Sequence, residues 1–561
     1  MNKIKSFLFV SLLFLVCSYA NASQLTYSYS TPYSGSSKIT IINTTDQPIT
    51  ITKLIFTNNA DIAGTPWGIL WGWQSTIANQ KNADGITVEH TISENPVITI
   101  GAKQSVDLNY NIDTNHLGGS LSPYNLAMDP VSVSVVYQGG SYPTPIDITG
   151  KCEGQACIDP GKGKRITGYF ADWAYWRDPK FIASQIPYNK INTIPYAFSI
   201  FDKDGNVSLY DQDSDAVNVP IISQARKQRP YLNASLSFGG WSWFSTPPGW
   251  QCQTGDSPAG PAACFKQLAA DKNAVQRFST AAVLAMKEVQ FNGIDIDWEY
   301  PAVEDAANYI ALLQSLRKAL DAQGALDQTH YYLTIAVGAG IDKINNLTKE
   351  QWLSVADAID YMGVMTYDFH GAWDQYSDFM SAMQLDPNND PTINDQALKR
   401  YNLTDAMQAY LDMGIPSSKL IVGIPMYGRM MKIAKAGTTQ GLYQPVTGVP
   451  QGEWDNSQSG YTGMLNYNCI VDPSTCGNHF NLPRLTLVDP SQSKLGQYAL
   501  TPWGYADNLF VTYDDAKSAA YKVQWIKKNQ FGGAMLWDLT SDFPGDDNRS
   551  IVNAVYQEFN R

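Results

Sequence analysis

The stretch Phe291-Asn292-Gly293-Ile294-Asp295-Ile296-Asp297-Trp298-Glu299-Tyr300 carries three carboxylates at every second position. A period of two is the strand period, so Asp295, Asp297 and Glu299 project from one face, while Ile294, Ile296 and Trp298 occupy the other and want burial. Same-face neighbours on a strand lie about 7 Å apart, near enough for carboxyl groups to share a proton. Like charges that close cannot all ionise cheaply, so at least one carboxyl should have a raised pKa and stay protonated near neutral pH. A general acid needs that property. Two other uses of the pattern compete, a solvated acidic face and a calcium site. The EF-hand loop has a different spacing, a central glycine and flanking helices, whereas this run has bulky, strand-like flanks.

Composition narrows the choice. The 561-residue chain has room for two or more domains, and its formal charge of -13 and pI near 4.9 argue against nucleic acid and anionic membranes as partners. Charged residues make up only 16%, but aromatics reach 12%, with 15 Trp and 32 Tyr. Such a surface suits neutral sugar polymers, whose flat apolar faces stack on rings. Met1 to Ala22 reads as a secretory signal, with Lys3 and Lys5, the apolar run Phe7 to Val16, and the small-residue site Ala20-Asn21-Ala22. The run is too short to span a bilayer, and Phe14-Leu15-Val16 lacks the small residue that precedes a lipidated cysteine, so Cys17 is no anchor. The expectation is an exported protein, extracellular or periplasmic, with no membrane association after signal removal. The remaining cysteines form three close pairs, Cys152 with Cys157, Cys252 with Cys264 and Cys469 with Cys476, which in an exported chain reads as three small disulfide loops. Zinc is the competing reading, but the spacings are wrong and the five histidines are scattered.

Two patterns of elements follow the signal. Residues 23–150 look all-β: Lys38 to Ile42, Ile49 to Thr52, Val106 to Ile112 and Val131 to Val135 alternate apolar and polar between turn residues, as in a small antiparallel sandwich. Trp67, Trp71 and Trp73 there form either a sugar-stacking platform or plain packing. Residues 151–163 read as a linker. From residue 164 to 561, strands alternate with amphipathic helices. Strand starts fall near Ile166, Ile191, Tyr231, Gly293, Tyr332, Tyr361, Leu420 and Gly533. Between the fourth and fifth, Ala306 to Ala322 places Tyr309, Leu312, Leu313, Leu316 and Leu320 on one helix face. Eight such units fit a (β/α)8 TIM barrel with insertions, an α/β fold whose working groups sit at the C-terminal ends of the strands. Glu299 reads as the last residue of its strand before Tyr300-Pro301, at that working face.

With these residues in view, the chain resembles the chitinases of glycoside hydrolase family 18. Asn292 to Glu299 matches the family's D-G-x-D-x-D-x-E signature, with Asn292 in place of the first Asp. Ser237-Phe238-Gly239-Gly240 resembles its S-x-G-G on the third strand, and Met365-Thr366-Tyr367-Asp368 its M-x-Y-D on the sixth. Met426-Tyr427-Gly428-Arg429 and Trp537 resemble its elements on the seventh and eighth. The resemblance covers about residues 165–561. It implies that Glu299 is the general acid and that the substrate's own N-acetyl carbonyl is the nucleophile, an exception to the two-carboxylate scheme. It also implies that Asp297 holds the acetamide N–H and shares a proton with Glu299, that Asp295 orients Asp297, that Tyr367 binds the acetamide oxygen, and that Asp368 helps polarise the site. Tyr169 and Ser237 would support the buried carboxylates. Gly239, Gly240, Trp241, Met365, Tyr427, Arg429 and Trp537 would line the substrate site, Trp537 as the floor under the reacting sugar. Gly239 and Gly240 equally fit a turn requirement, and Trp537 a core position. Trp176, Trp241, Trp243 and Trp373 follow strand ends and are candidates for a cleft lining. The stretch from about 429 to 512 is too long for a loop and reads as an α+β insertion, which the family's deep-cleft chitinases carry. The expectation is therefore a monomeric, cofactor-free, metal-free enzyme acting on chitin and N-acetylglucosamine oligomers. The alternatives are an endo-β-N-acetylglucosaminidase on N-glycans and a non-catalytic chitin-binding lectin.

Overall fold

The structure, a computed structural model, describes the backbone of eight strands between residues 25 and 145, and residues 158–561 apart from 210, 243–251, 255, 256, 259, 457–459 and 545. The signal at 1–22, Trp67, Trp71, Trp73, Trp243 and the Cys152–Cys157 pair lie outside the described residues. The chain divides into two compact units, Met1–Ile146 and Asp147–Arg561.

In the first unit the described strands are antiparallel, as the alternating pattern implies. Leu25–Ser30, Ser36–Asn43 and Ser105–Asn111 form one sheet. Ser75–Lys81, Thr87–Ile100, Ile49–Asn59, Ser132–Tyr137 and Gly140–Pro145 form a second.

In the second unit, parallel strands buried on both faces read as nearly continuous apolar runs unless their inward side chains do chemistry. The eight are β1 (Arg165–Gly168, resumed at Phe170–Ala171), β2 (Thr193–Phe201), β3 (Asn233–Gly239), β4 (Gly293–Asp297), β5 (Tyr332–Gly338), β6 (Tyr361–Met365), β7 (Leu420–Pro425) and β8 (Gly533–Trp537). Each pairs in parallel with the next, and β8 returns to β1 through Gly533–Arg165 to Leu536–Gly168, closing the barrel. Five strands start where the sequence pattern places them; β1, β2 and β3 start one or two residues away. The longer helices are α1 (Gln212–Gln228), α2 (Pro261–Ala270), α3 (Lys272–Glu288), α4 (Ala306–Asp327), α5 (Lys349–Ala358), α6 (Leu403–Asp412), α7 (Ala516–Lys528) and α8 (Ile551–Asn560). The β1–β2 crossover instead uses two short 3-10 turns, Asp172–Trp176 and Ala183–Gln185.

Outward strand residues and the helices share one large core, in which α4 buries Tyr309, Leu312, Leu313, Leu316 and Leu320 as its spacing requires. This helix runs five residues beyond the expected Ala322. Asp327 in its last turn accepts from Lys287 Nζ and Tyr331 Oη at 2.7 Å, and Gln328 ends it in a left-handed conformation. The barrel interior is a separate cluster of Tyr169, Ala197, Phe198, Ala336, Tyr361, Met365, Ile421 and Met535.

Between β7 and α7 lies the insertion, an antiparallel sheet whose spine is Tyr427–Ile433 paired with Leu509–Tyr513, which pairs with Trp503–Ala506. It has its own core around Met431, Leu442, Trp503 and Phe510. Tyr427 and Arg429 therefore belong to the insertion and not to the seventh barrel strand. Pro425 is the last residue of β7, and Met426 adds one further link to β8 by donating to the Trp537 carbonyl at 2.8 Å. The Cys252–Cys264 and Cys469–Cys476 disulfides both form.

A long segment, residues 366–402, connects β6 to α6 and is fastened to the end of the insertion. Ser381 Oγ donates to Asp514 Oδ2 at 2.6 Å, and Met380 N to Thr512 Oγ1 at 3.1 Å. Lys522 on α7 completes the joint with a fully buried ion pair to Asp514 at 2.5 Å. Removing one partner of such a pair leaves an uncompensated buried charge, which costs about 3–5 kcal/mol. Asp514→Asn should accordingly lower the thermal midpoint of the second unit markedly, as followed by calorimetry. An unchanged midpoint would show that the pair contributes nothing net.

Candidate active site

Side-chain parity in β4 acts as the sequence pattern requires. Ile294, Ile296 and Trp298 are buried outward in the main core, Trp298 stacked on Phe265 with ring centroids 5.2 Å apart. Asp295 and Asp297 are thereby driven into the barrel, at 1% and 2% exposure. The strand itself ends at Asp297, so Glu299 is not its last residue but stands two positions beyond it. The displacement puts Glu299 at the mouth, where it is partly open to solvent while the two aspartates are not.

Strand register supplies partners for Asp295. It lies directly between Ser237 on β3 and Thr334 on β5. Ser237 Oγ donates to Asp295 Oδ2 at 2.7 Å, Tyr169 Oη on the β1 side to the same oxygen at 2.9 Å, and Thr334 Oγ1 to Oδ1 at 2.5 Å. Burial pushes the Asp295 carboxyl up, and these three donors pull it back. Asp297 has no such compensation: its buried Oδ1 finds no hydrogen-bond partner among the described residues. Burial first, then the charges of Glu299 and Asp295, hold its carboxyl well above the ordinary range. Glu299 is pushed up to about 7, chiefly by burial and further by the charge of Asp368, against a hydrogen bond from Tyr300.

Gly239 and Gly240, at the end of β3, sit at φ of 118° and 85°. A side chain at Gly239 would lie 2.0 Å from the Asp297 carbonyl, and one at Gly240 would strike the Phe198 ring at 2.5 Å. Both positions thus have a backbone duty, letting β3 pass close to the end of β4.

On the opposite side, Tyr367 follows β6 with its hydroxyl held well above its ordinary pKa by burial and by the nearby charges of Asp297, Glu299 and Asp368. Asp368 is gripped by Arg429 through two bonds, Nε to Oδ1 at 2.8 Å and Nη2 to Oδ2 at 2.7 Å. The guanidinium also lies 5.3 Å over the Trp373 ring and 5.5 Å over that of Tyr427. Met365 packs within the barrel interior. Trp537, at the end of β8, is surrounded by the rings of Tyr169 at 5.2 Å, Phe198 at 5.8 Å and Trp173 at 6.2 Å. Trp241 is 73% exposed, Trp176 60% and Trp373 59%.

Sequence reasoning missed Thr334, Trp173, Phe198 and Tyr300. Thr334 had a readable signal, since it is the third residue of β5 as Asp295 is the third of β4. Phe198 had none. Strict alternation would put it beside Tyr196, which packs outward, but a register shift after Ala197 turns it inward. Among the described residues no group of three or more His, Cys, Asp or Glu side chains is arranged to hold a metal ion, and no helix is long and apolar enough to cross a membrane.

Comparison with known proteins agrees with this geometry. The chain is 31% identical over 354 residues to Chitinase A1 of Niallia circulans, a match spanning 61% of this chain and 44% of that protein. It is 28% identical over 418 residues to Chitinase 1 of Aphanocladium album, covering 71% and 86% respectively. Among solved structures, chitinase ChiA74 from Bacillus thuringiensis superposes with a TM-score of 0.58 at 25% identity, over 71% of this chain and 70% of that one. Residues 165–542 match the profile described as glycosyl hydrolases family 18. The barrel, the carboxylate row at its mouth and this match over most of the second unit lead to one conclusion: the chain belongs to family 18 of the glycosyl hydrolases.

Proposed function

We propose that the protein is a secreted chitinase that cleaves the β-1,4 bonds between N-acetylglucosamine units with retention of configuration, using the substrate's acetamide as nucleophile. The observation that carries this reading is the asymmetry around Glu299. The one carboxylate row lies on β4 and the two residues that follow it, and the facing Asp368 is already committed to Arg429. A retaining enzyme of the two-carboxylate kind needs a second free carboxylate across the sugar ring. Here the acetamide carbonyl takes that place.

Glu299 gives its proton to the glycosidic oxygen as the C1–O bond breaks, and the acetamide oxygen of the same sugar bonds to C1, forming an oxazolinium ion. Asp297 holds the acetamide N–H, and Tyr367 binds the acetamide oxygen. Water then attacks C1 and loses its proton to Glu299, which restores the acid and frees the N-acetyl group. Making the attack intramolecular supplies an entropic gain that can amount to several kcal/mol. Trp537 forms the floor under the reacting sugar, and Trp241 and Trp373 offer stacking faces for neighbouring sugars. The curated relatives named chitinases support the choice of polymer.

Glu299→Gln should lower turnover on chitin oligomers about 10²–10⁴-fold while leaving their binding nearly intact, since only the transferable proton is removed. In the wild type, kcat should fall as pH rises through about 7, where Glu299 loses its proton. The same shift predicts a stability signature. A carboxyl raised from 4.5 to about 7 on folding binds its proton more tightly in the native state. Its contribution is therefore full below pH 4.5 and is lost as pH rises through 7. Glu299→Gln should gain stability over the wild type across that window, by at most about 3 kcal/mol. Equal pH dependence of unfolding in both proteins would place the acid elsewhere.

Fully deacetylated oligomers of the same length should be inert even where they bind, because they lack the nucleophile. Efficient cleavage of a glucosamine-only oligomer, followed by product analysis, would rule the scheme out.

The first unit we assign to chitin binding, on its separate all-β pattern and the Trp67, Trp71 and Trp73 cluster in its sequence. Deleting residues 23–150 should preserve activity on soluble oligomers and weaken binding to insoluble chitin. Equal pull-down of both forms on chitin beads would retire that assignment.

A further inference from the structure

Asp295 is the one member of the carboxylate row held by three side-chain hydroxyls, with no cation among its hydrogen-bond partners. Ser237 and Tyr169 both serve Oδ2, and Thr334 alone among the described residues donates to Oδ1. The register fixes this: Thr334 pairs directly with Asp295 across the β4–β5 ladder, on the opposite side from Ser237. Thr334 is itself buried, at 4% exposure, so no bulk water can stand in for its hydroxyl.

We propose that Thr334 is a positioning residue of this site: its hydroxyl keeps Asp295 as the anion, so that the proton held along the row stays with Asp297 and Glu299. The inference rests on the substrate-assisted reading above for its catalytic consequence, but not for the proton placement itself.

The surroundings leave few other ways to hold that charge. The titratable groups that interact with Asp295 are Tyr169 between the two parts of β1, Tyr361 on β6 and, from the outer core, Tyr309 on α4, with Asp297 next on its own strand. Facing Glu299 are Tyr300, Tyr367 and Asp368. The tyrosines are all raised and stay neutral through the working range, and Arg429 is engaged with Asp368. Three neutral hydroxyls therefore do the work that a cation does elsewhere. A hydrogen bond to a charged acceptor is worth more than one to a neutral acceptor, so losing one of three is felt.

Without the Thr334 donor, Asp295 becomes the better base and the Asp297 proton moves to it. Asp297 is then an anion next to Glu299. Glu299 becomes a weaker acid, because the charge it must develop while protonating the leaving oxygen now faces another charge. Two effects follow from that single cause, slower proton transfer and a basic limb displaced upward.

Thr334→Val removes the donor and keeps the shape. It should lower kcat on N-acetylglucosamine oligomers about tenfold with little change in KM, and move the basic limb of the kcat profile up by about one pH unit. Thr334→Ser keeps a hydroxyl and should restore both. A loss of kcat in Thr334→Val with an unmoved limb, or a failure of Thr334→Ser to restore it, would overturn the proposal in favour of a packing role. A second readout does not depend on turnover. Infrared difference spectra of the ligand-free protein near pH 6 report which carboxyls carry protons. In the wild type, Asp297→Asn should remove a protonated-carboxyl band and Asp295→Asn should not; in the Thr334→Val background the two should exchange. A protonated Asp295 in the wild type, or the same assignment in both backgrounds, would overturn the proposal. A wild type that leaves N-acetylglucosamine oligomers uncut would sink the functional reading alone, and the infrared comparison would still decide the place of the proton.

Discussion

Burying three carboxylates in one row is the constraint to which the barrel mouth answers. An unpaired charge taken out of water costs several kcal/mol, and the cost is relieved only by a partner, by hydrogen bonds or by a proton. The row uses different reliefs along its length. Asp295 is held by three hydroxyls drawn from β1, β3 and β5. Asp297 has no such donor, and burial with the neighbouring charges holds its carboxyl well above the ordinary range, while Glu299 sits partly open to solvent. The outward residues Ile294, Ile296 and Trp298 make this arrangement obligatory, since turning β4 over would expose them and drown the site in apolar side chains. An acid kept protonated near neutral pH is thus purchased with stability, as is common at working sites.

The insertion is part of the site as well as a wall beside it. Arg429 and Tyr427, on its first strand, reach Asp368 and the Trp373 ring on the segment after β6. The guanidinium fixes the carboxylate in a bidentate geometry and at the same time braces an exposed indole. That contact depends on the insertion being docked in one place. Tyr513 and Thr512 pair with Gly428 and Arg429 at this same end of the sheet, and Asp514 beyond them is held by Ser381 of the segment and by Lys522 of α7. Asp368 is consequently a negative charge held facing Glu299, and it adds to the upward shift of the Glu299 pKa.

Aromatic packing completes the mouth. Trp537 closes the barrel top among Tyr169, Trp173 and Phe198, and these rings exclude water from the aspartates beneath. Burial strengthens the mutual influence of the carboxyls in the row, because electrostatic effects grow as the local dielectric falls. Gly239 and Gly240 serve the same end from the backbone side, letting β3 close against Asp297 and Phe198 where any side chain would hold them apart.

The sequence by itself determined the alternation of β4, the eight-unit rhythm of the barrel, the local cysteine pairs that form at Cys252–Cys264 and Cys469–Cys476, and the existence of an insertion before the eighth strand. These are near-neighbour properties: parity, amphipathic period and short chain separation are all written along the chain. Tertiary structure alone decided which distant side chains meet. That Thr334 and Ser237 flank Asp295 follows from strand register, which two separate strands acquire only on pairing. Phe198 faces inward because a register shift breaks the alternation that sequence reasoning must assume. Tyr427 and Arg429 belong to the insertion and not to β7 because the chain turns at Pro425 and pairs with Leu509–Tyr513, some eighty residues on. The types and spacing of residues identify the chemistry, but the protonation state of each carboxyl depends on burial and on partners from other strands, and those exist only once the barrel has closed.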